Sequence, residues 1–252
     1  MRLLRLFHLR LLIFSAFAGL IGTGVMSQER AWKSVILAEF FTSQGCNTCP
    51  PADDFLLDLD KEKAVLPIAY HVDYWDHLGW VDTFGDREYS NRQRDYARGK
   101  NSTRYYTPQV IIDGSYHLVG SHRNKVWTIL NKLGHQPSAT PEINLNQDIL
   151  TIRWNARPAE FDRVYYVLFD PKVHNVQINA GENRGTVIPY GNVVTEMFEL
   201  PVPRTRQNRE LRWSNKELAE LKCPKDLNVA LIFQQTNGKY PTMVTDTFYT
   251  SC

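Results

Sequence analysis

The chain has 252 residues, of which 43% are hydrophobic and 22% are charged, so it can form one large or two modest domains and is too apolar for a disordered protein. Its formal net charge is only +2. This value excludes the bulk electrostatic attraction that draws strongly basic proteins to nucleic acid, and we expect no nucleic-acid partner.

The first 27 residues have the pattern of a secretory signal peptide. Arg2, Arg5 and Arg10 form a basic start, and an uncharged, mostly apolar run follows from Leu11 to Met26. The run is short for a membrane-spanning helix. We therefore expect an exported protein, periplasmic or secreted, in a compartment where disulfides persist. It would associate with a membrane only if the signal stayed uncleaved as an anchor.

Two cysteines in C-x-x-C spacing, Cys46 and Cys49, are the strongest chemical signal in the sequence. A strand-like run, Val35 to Phe41, precedes them, and a helix-like run, Ala52 to Leu59, follows. The spacing places Cys46 at a helix N-terminus, where the helix dipole and free backbone N–H groups favour a thiolate. We expect Cys46 to attack a disulfide and Cys49 to resolve the mixed disulfide, with no separate cofactor.

Other interpretations of this C-x-x-C pair stay open. It could bind zinc or Cu(I), with His71 as a further ligand, although no second C-x-x-C completes a zinc site. It could also be an inert structural disulfide in a non-catalytic protein whose β-rich part binds a partner. A c-type haem site is excluded, because Pro50 stands where that motif needs histidine.

A carboxylate interrupts the strand that leads to the cysteines. Glu39 lies seven residues before Cys46 in an otherwise apolar run. On an exposed strand face it would simply be solvated. If it is partly buried, its pKa rises, and it could take or relay a proton as the disulfide forms.

The loop after the second predicted strand is expected beside the cysteines. Val65 to His71 completes a β-α-β unit, whose two parallel strands end at the same edge of a sheet. The loop from residue 71 to residue 80 is dense in aromatic, acidic and imidazole side chains. We expect it to form a wall of the substrate cleft, with His71, Asp73 and Trp75 as candidates. The alternative is a packed surface loop anchored by its tryptophans.

The remaining elements of the first half complete the order β-α-β-α-β-β-α. A helix is predicted over residues 82–98, a hairpin turns at Asp113-Gly114, and a last helix follows Ser121. This order resembles the thioredoxin fold, in which a cis-proline opens the third strand and packs against the cysteine pair. The resemblance implies a cis bond at Thr107-Pro108, with Pro108 shaping the substrate groove and Thr107 lining it.

Longer stretches resemble a thioredoxin-like family of secreted bacterial proteins, known as domain of unknown function 1223. They are Glu39–Asp53, Tyr70–Asp76, Asn91–Arg94 and Tyr106–Gln109, with Gly181–Gly185 and Asn192–Val194 in the C-terminal half. The resemblance implies the fold and, by analogy, an exported thiol–disulfide oxidoreductase. Its substrate would be a protein or a small thiol or disulfide, and its redox partner is unknown.

The C-terminal half has a different pattern. A loop-like stretch near residues 134–141 separates a thioredoxin-like domain, residues 33–135, from a β-rich domain, residues 140–252. Short strand-like runs with turn signals favour a sandwich-like unit. The runs are residues 142–146, 149–154, 164–169, 173–179, 187–200, 229–235 and 243–249. If Cys46 and Cys49 are the working pair, Cys223 and Cys252 are left to form a structural disulfide.

Overall fold

The computed structural model describes residues 32–134, 141–145, 149–154, 160–202, 210–214, 224–237 and 239–252. These residues form a mixed α/β structure in which a curled nine-stranded sheet dominates and helices are few. The predicted signal peptide, residues 1–27, lies outside the described residues. None of the helices in the described part of the chain combines the length and the apolar character that crossing a membrane requires.

Three α-helices and fourteen strands make up this part of the chain. The helices are α1 (Pro50–Leu59), α2 (Arg87–Gly99) and α3 (Arg123–Leu133). The strands of the first half are β1 (Lys33–Ser34), β2 (Ile36–Thr42), β3 (Val65–His71), β4 (Gln109–Ile112) and β5 (Tyr116–Val119). Those of the second half are β6 (Glu142–Leu145), β7 (Ile149–Arg153), β8 (Arg163–Asp170), β9 (His174–Gln177), β10 (Val187–Tyr190), β11 (Val193–Leu200), β12 (Glu210–Ser214), β13 (Asn228–Thr236) and β14 (Pro241–Ser251).

The first half has the predicted β-α-β unit and hairpin. Strands β2 and β3 are parallel and joined through α1, while β4 is antiparallel to β2 on its other side and pairs with β5. Every residue of β2 and β3 is buried, as expected for strands covered on both faces. The carboxyl ends of β2 and β3 therefore lie at one edge of the sheet, where the cysteine motif begins.

Successive side chains of β2 point to opposite faces of the sheet and pack in two different layers. Ile36, Ala38 and Phe40 pack with the apolar faces of α1 and α3. Leu37 and Phe41 pack on the opposite face, in the cluster that contains residues of α2 and of strands β8 and β13. The sheet thus separates α1, the helix that follows the cysteines, from α2.

The sheet continues from the first half of the chain into the second. Its strand order is β1-β14-β13-β8-β11-β3-β2-β4-β5, and β11 joins β3 in parallel at Val193 and Ala69. Asn192, in a left-handed conformation with φ of 48°, donates from Nδ2 to the Pro67 carbonyl at 2.9 Å and to Asp60 Oδ1 at 2.6 Å. The proposed two-domain division stays a prediction, and the sheet runs across its boundary.

The sheet curls so that β14, near the C-terminus, comes back to the residues just before β2 and to the β4–β5 turn. Strand β1 pairs with β14, and the Val35 N–H donates to the Thr247 carbonyl at 3.1 Å. The Val244 N–H donates to the carbonyl of Asp113, in the β4–β5 turn, at 2.8 Å. Helix α2 lies inside this curl, with Tyr89 and Tyr96 buried in the same cluster as strand residues from both halves.

The C-terminal half also contains a second layer of strands, while the sandwich-like unit stays a prediction. A three-stranded sheet, β12-β7-β6, packs on β8, β13 and β14 through one buried apolar cluster. Strand β12 was not predicted. The predicted single strand 187–200 is wrong, because the chain turns at Gly191-Asn192 and β10 and β11 lie in different sheets. Cys223 lies outside the described residues, so its pairing with Cys252 stays a prediction.

Candidate functional site around the cysteine pair

Cys46 and Cys49 are joined by a disulfide between the end of β2 and the start of α1. Their Cα atoms are 5.4 Å apart. The cysteines are almost completely buried, at 1% and 0% exposed, although Asn47 and Thr48 between them are exposed. The bond is compatible with an exported protein. The sulfurs therefore lie beneath a surface formed by other residues.

The start of α1 offers fewer hydrogen-bond donors than the sequence pattern predicts. Pro50 and Pro51 have no N–H, and the N–H groups of Ala52 and Asp53 both donate to the Cys49 carbonyl, at 2.8 and 3.1 Å. Free backbone N–H groups of the first helical turn are therefore not the source of thiolate stabilisation. A side chain is better placed, since Thr48 Oγ1 lies 3.4 Å from Cys46 Sγ.

The Tyr106–Gln109 segment lies against this motif. The Thr107-Pro108 bond is cis, which confirms the expectation from the resemblance. The β2–β4 register, with Phe41 opposite Gln109, places Pro108 across from the end of β2. Trp75 Nε1 donates to Thr107 Oγ1 at 2.7 Å. The structure thus brings Thr107, Pro108 and Trp75 together at the edge of the sheet where the cysteines lie.

Gln44, two residues before Cys46, joins the cysteine motif to the loop after β3. The Gln44 N–H donates to Asp82 Oδ2 at 2.7 Å, and its side-chain oxygen accepts from Trp80 Nε1 at 2.9 Å. Its side-chain nitrogen donates to Thr83 Oγ1 at 2.8 Å. The prediction that this loop forms a wall beside the cysteines is consistent with these contacts.

A loop from the C-terminal half covers the motif from another side. Asn183 is buried, and its Nδ2 donates to the carbonyls of Gln44 and Cys46, both at 2.9 Å. Next to it, Glu182 Oε2 accepts from the Asn47 N–H at 3.4 Å. We call residues 179–186 the covering loop. Its contacts are with the backbone on both sides of the first cysteine.

His71 is fully buried and paired with a carboxylate. Its Nδ1 lies 2.9 Å from Asp82 Oδ2 and 3.1 Å from Asp82 Oδ1. Burial opposes ionisation of Asp82, but His71 and the N–H groups of Gln44 and Phe84 hold the pKa of Asp82 below its ordinary value. Asp82 is therefore a carboxylate, and His71 donates to it from Nδ1.

Asp53 is the buried carboxyl group nearest to Cys49 along α1. It is 4% exposed and lies one turn after Cys49, so the two side chains share a face of the helix. Burial raises the pKa of Asp53 to about 7, and Thr42 and His71 offset only part of that rise. Asp53 Oδ2 and His71 Nε2 are buried and have no hydrogen-bond partner among the described residues. Asp53 can thus gain or lose a proton near neutral pH.

Glu39, the acid singled out from the sequence, occupies a different place. It is fully buried and accepts from Arg92 Nε at 2.6 Å and from the hydroxyl of Tyr96. These partners belong to α2, on the face of the sheet away from α1. This placement argues against Glu39 as the proton relay and assigns it to a structural ion pair.

Asp73 also lies away from the sulfurs. Its N–H donates to Ser90 Oγ at 3.1 Å, and its carboxylate accepts from the same hydroxyl. Asp73 thereby anchors the loop after β3 to α2. For the metal-binding alternative, the part of the chain that the structure describes contains no group of three or more His, Cys, Asp or Glu side chains placed to hold a metal ion.

Sequence reasoning missed three residues of this site. The sequence analysis assigns Asp53 no role of its own, although its position four residues after Cys49 places the two on one helix face. Asp82 carries no such signal, whereas Asn183 lies within the Gly181–Gly185 stretch that belongs to the family resemblance and could form a loop aimed at the cysteine cleft. Their distances in sequence from their partners, 11 residues for His71–Asp82 and 137 for Asn183–Cys46, make their roles a consequence of the fold.

Replacing Asp53 with asparagine should stabilise the protein at alkaline pH. The folded-state pKa near 7 lies above the ordinary value of 3.8, so the folded protein keeps a proton that the unfolded chain releases. Stability is therefore lost as pH rises from about 4 to about 7. At about 1.4 kcal/mol per unit, D53N should gain up to about 4 kcal/mol at pH 8 and little at pH 4, as measured by denaturant unfolding of the oxidised protein.

The exposed neighbour Asp54 provides the matched control, because D54N makes the same chemical change one residue away. D54N should change stability by less than about 1 kcal/mol at either pH, since its ion pair with Arg123 is exposed. Equal effects of D53N at pH 4 and pH 8 would contradict the raised pKa of Asp53.

Two solved structures are similar to this chain. A crystal structure of a protein from Agrobacterium tumefaciens has a TM-score of 0.70 and 24% sequence identity, with 87% of this chain and 95% of that chain covered. HBP35 of Porphyromonas gingivalis has a TM-score of 0.53 and 12% identity, with 88% of this chain and 76% of that chain covered. At these identities the similarity shows the fold alone. No curated protein matches the chain significantly.

A protein-family model matches most of the chain. It is described as a protein of unknown function, DUF1223, and it matches residues 37–234. The matched region includes Cys46, Cys49, Asp53, Asp82 and Asn183. Since the match covers well over half of the sequence, the chain belongs to the DUF1223 family.

Proposed function

We propose that the protein is an exported thiol–disulfide oxidoreductase with a thioredoxin-like reaction centre, acting in the periplasm or after secretion. The observation that carries the proposal is the Cys46–Cys49 disulfide at the start of α1, one helical turn before a buried carboxyl group whose pKa is about 7. The β-α-β unit and the cis bond before Pro108 support the thioredoxin-like part of the proposal.

The proposed reaction moves two electrons between a dithiol and a disulfide. In the reduced protein the Cys46 thiolate attacks a substrate disulfide, forms a mixed disulfide and releases one substrate thiolate. Cys49 then loses its proton and attacks Cys46 Sγ. This step forms the Cys46–Cys49 disulfide and releases the second substrate thiolate. The substrate is reduced and the protein is oxidised, and the same steps in reverse oxidise a substrate dithiol.

Asp53 is proposed to move the proton of Cys49. A base works best when its pKa lies near the working pH, and burial raises the pKa of Asp53 to about 7. Within the protein, His71 lowers and Asp82 raises the pKa of Asp53 electrostatically, so these two effects partly offset each other and burial dominates. We therefore assign the relay role to Asp53, and Pro108, Thr107 and Trp75 to the wall of the substrate groove.

Thr48 is proposed to assist the attacking sulfur. Its hydroxyl lies 3.4 Å from Cys46 Sγ and can donate to a thiolate there. Because the prolines remove the first helical N–H groups, we assign the stabilisation of a Cys46 thiolate to this hydroxyl and to the helix dipole.

The covering loop is proposed to control access to Cys46. The sulfurs are buried in this conformation, and attack on a disulfide requires approach to the sulfur atom. Asn183 makes two hydrogen bonds to the backbone of the motif and is the main polar contact between the covering loop and the cysteines. Exchange would therefore require movement of residues 179–186.

Replacing Cys49 with alanine should trap the mixed disulfide. Reduced C49A, incubated with oxidised glutathione, keeps the attacking thiol but lacks the resolving one, so it should hold one glutathione on Cys46. The wild-type protein should instead form the internal disulfide and release two glutathione thiols per molecule. Mass spectrometry of intact protein and of its peptides measures both outcomes.

The matched control for trapping is Cys46→Ala, which retains only Cys49 at the site. It should form little mixed disulfide, because Cys49 is fully buried at the start of α1. Equal modification of C49A and C46A, or no modification of either, would rule out the proposed roles of the cysteines.

Replacing Asp53 with asparagine should slow the resolving step. A positioned base typically contributes about 100-fold or more, so release of the second thiol by D53N should be about 100-fold slower at pH 7. The difference should shrink above about pH 9, where a thiol with an ordinary pKa near 8.5 ionises without help. Rapid quenching of the reaction with oxidised glutathione measures the step. The idea fails if D54N slows it equally or if the D53N defect persists at pH 9.5.

Replacing Asn183 with alanine should expose Cys46. Loss of two hydrogen bonds to the motif, each worth about 1 kcal/mol, should raise the open population of the covering loop by about tenfold or more. Reduction by dithiothreitol, followed by thiol labelling, should be faster by a similar factor. Asn175→Ala changes an exposed asparagine on β9 and should leave the rate unchanged. An unchanged rate in N183A would show that the loop does not limit access.

A further inference from the structure

A pocket lies apart from the cysteine motif, between the end of α2 and the β4–β5 hairpin. Its volume is about 420 Å³. Eight residues line it: Ala97, Lys100, Ser102, Arg104, Tyr106, Gln109, Ser115 and His117. Two of them carry a positive charge, one is an imidazole, and none is a carboxylate. The pocket is therefore a cationic concavity with several hydrogen-bond donors.

The charge of this pocket is not compensated locally. No ion pair within the described ranges involves Lys100 or Arg104. Lys100 and Arg104 are exposed, whereas the less exposed Arg92 and Arg123 face the carboxylates of Glu39 and Asp58. The two charges of the pocket are thus available to an external anion.

The backbone holds the two cations in a defined turn. The chain leaves α2 through Asn101, whose φ of 54° reverses its direction, and the Ser102 N–H donates to the Ala97 carbonyl at 2.9 Å. The Arg104 N–H donates to Ser102 Oγ at 3.0 Å. The end of α2 packs directly against Pro241 of β14. The approach is so close that a Cβ on Gly99 would lie only 1.9 Å from the Pro241 carbonyl oxygen.

The floor of the pocket carries further polar groups. The His117 ring packs edge-on against Tyr96, with ring centroids 6.0 Å apart. His117 Nε2 is buried and has no hydrogen-bond partner among the described residues. Gln109 is held in place by Gln93, whose Nε2 donates to Gln109 Oε1 at 2.8 Å. These side chains, with the Tyr106 hydroxyl, supply neutral donors beside the two cations.

We propose that this pocket binds an oxyanion, the carboxylate or phosphate group of a small acidic ligand. Lys100 and Arg104 would supply the charge, and the donors of Ser102, Tyr106 and Gln109 would orient the oxygens. Carboxylate and phosphate oxygens match these donors equally, because both accept charge-assisted hydrogen bonds from guanidinium and ammonium groups. The site does not depend on the proposed redox activity.

The pocket borders the same segment, residues 106–109, that lies beside the cysteines. Tyr106 and Gln109 line it and flank Thr107-Pro108, which lies at the cysteine edge of the sheet. The same short segment therefore borders both sites on its two sides. An anion in the pocket would contact that segment without touching the cysteines.

Calorimetric titration of the oxidised full-length protein with citrate and, separately, inorganic phosphate tests the proposal at constant ionic strength. We expect saturable binding with one site per chain, and the ring signals of His117 should shift on saturation in a ¹H–¹³C spectrum. Tighter binding of citrate would identify carboxylates as the ligand class, and tighter binding of phosphate would identify phosphates. Absence of saturable binding by either probe would overturn the proposal.

Charge-matched variants distinguish a specific anion-binding site from attraction of anions by the net charge of the protein. The double variant K100A/R104A should weaken binding at least about tenfold, since it removes the charge-assisted hydrogen bonds to the anion. The control K63A/K132A removes the same charge from exposed lysines outside the pocket and should bind as the wild type does. Equal weakening in both double variants would show that only net charge matters and would also overturn the proposal. Unchanged unfolding temperatures confirm that both variants are folded.

Discussion

The parallel pairing of β11 with β3 is the constraint on which the site depends. It places Val193 opposite Ala69, and Asn192 secures it with hydrogen bonds to Pro67 and Asp60. A left-handed φ is costly for most residues but accessible to asparagine, which is why the chain can turn there between two sheets. The pairing carries β10 and the covering loop to the carboxyl edge of β2 and β3. Without it, Asn183 would have no route to the backbone of Cys46.

A buried ion pair holds the other face of the same sheet. Glu39 and Arg92 lie inside the curl with their side chains at most 3% exposed, and Arg92 also lies over the rings of Tyr70 and Tyr165. Removing two charges from water is costly, so such a pair adds little net stability over apolar residues. Its geometry, with Tyr96 completing the set, instead fixes the position of α2 within the sheet.

The candidate site contains two acids, Asp53 and Asp82, whose environments shift their pKa values in opposite directions. Asp82 accepts from His71 and from two backbone N–H groups, which keeps its pKa low and the group ionised. Asp53 is equally hidden from water, but burial dominates and its pKa rises to about 7. Two carboxyl groups held in different protonation states near neutral pH are a common basis for acid–base roles in one site. Holding Asp53 in this state costs stability above about pH 4, because the unfolded chain releases the proton more readily.

Local patterns in the amino-acid sequence were sufficient for the strand–helix–strand unit, the hairpin at Asp113-Gly114 and the position of the cysteines, because alternation, turn residues and short spacings act within one element or its neighbour. The cis bond at Thr107-Pro108 followed from the family resemblance. Only the tertiary structure decided that Glu39 faces α2, that Asp53 is buried and that Asn183 reaches Cys46. Burial and pairing of polar groups depend on which distant strands become neighbours, and no local pattern encodes the β3–β11 register that brings residues 137 positions apart into contact.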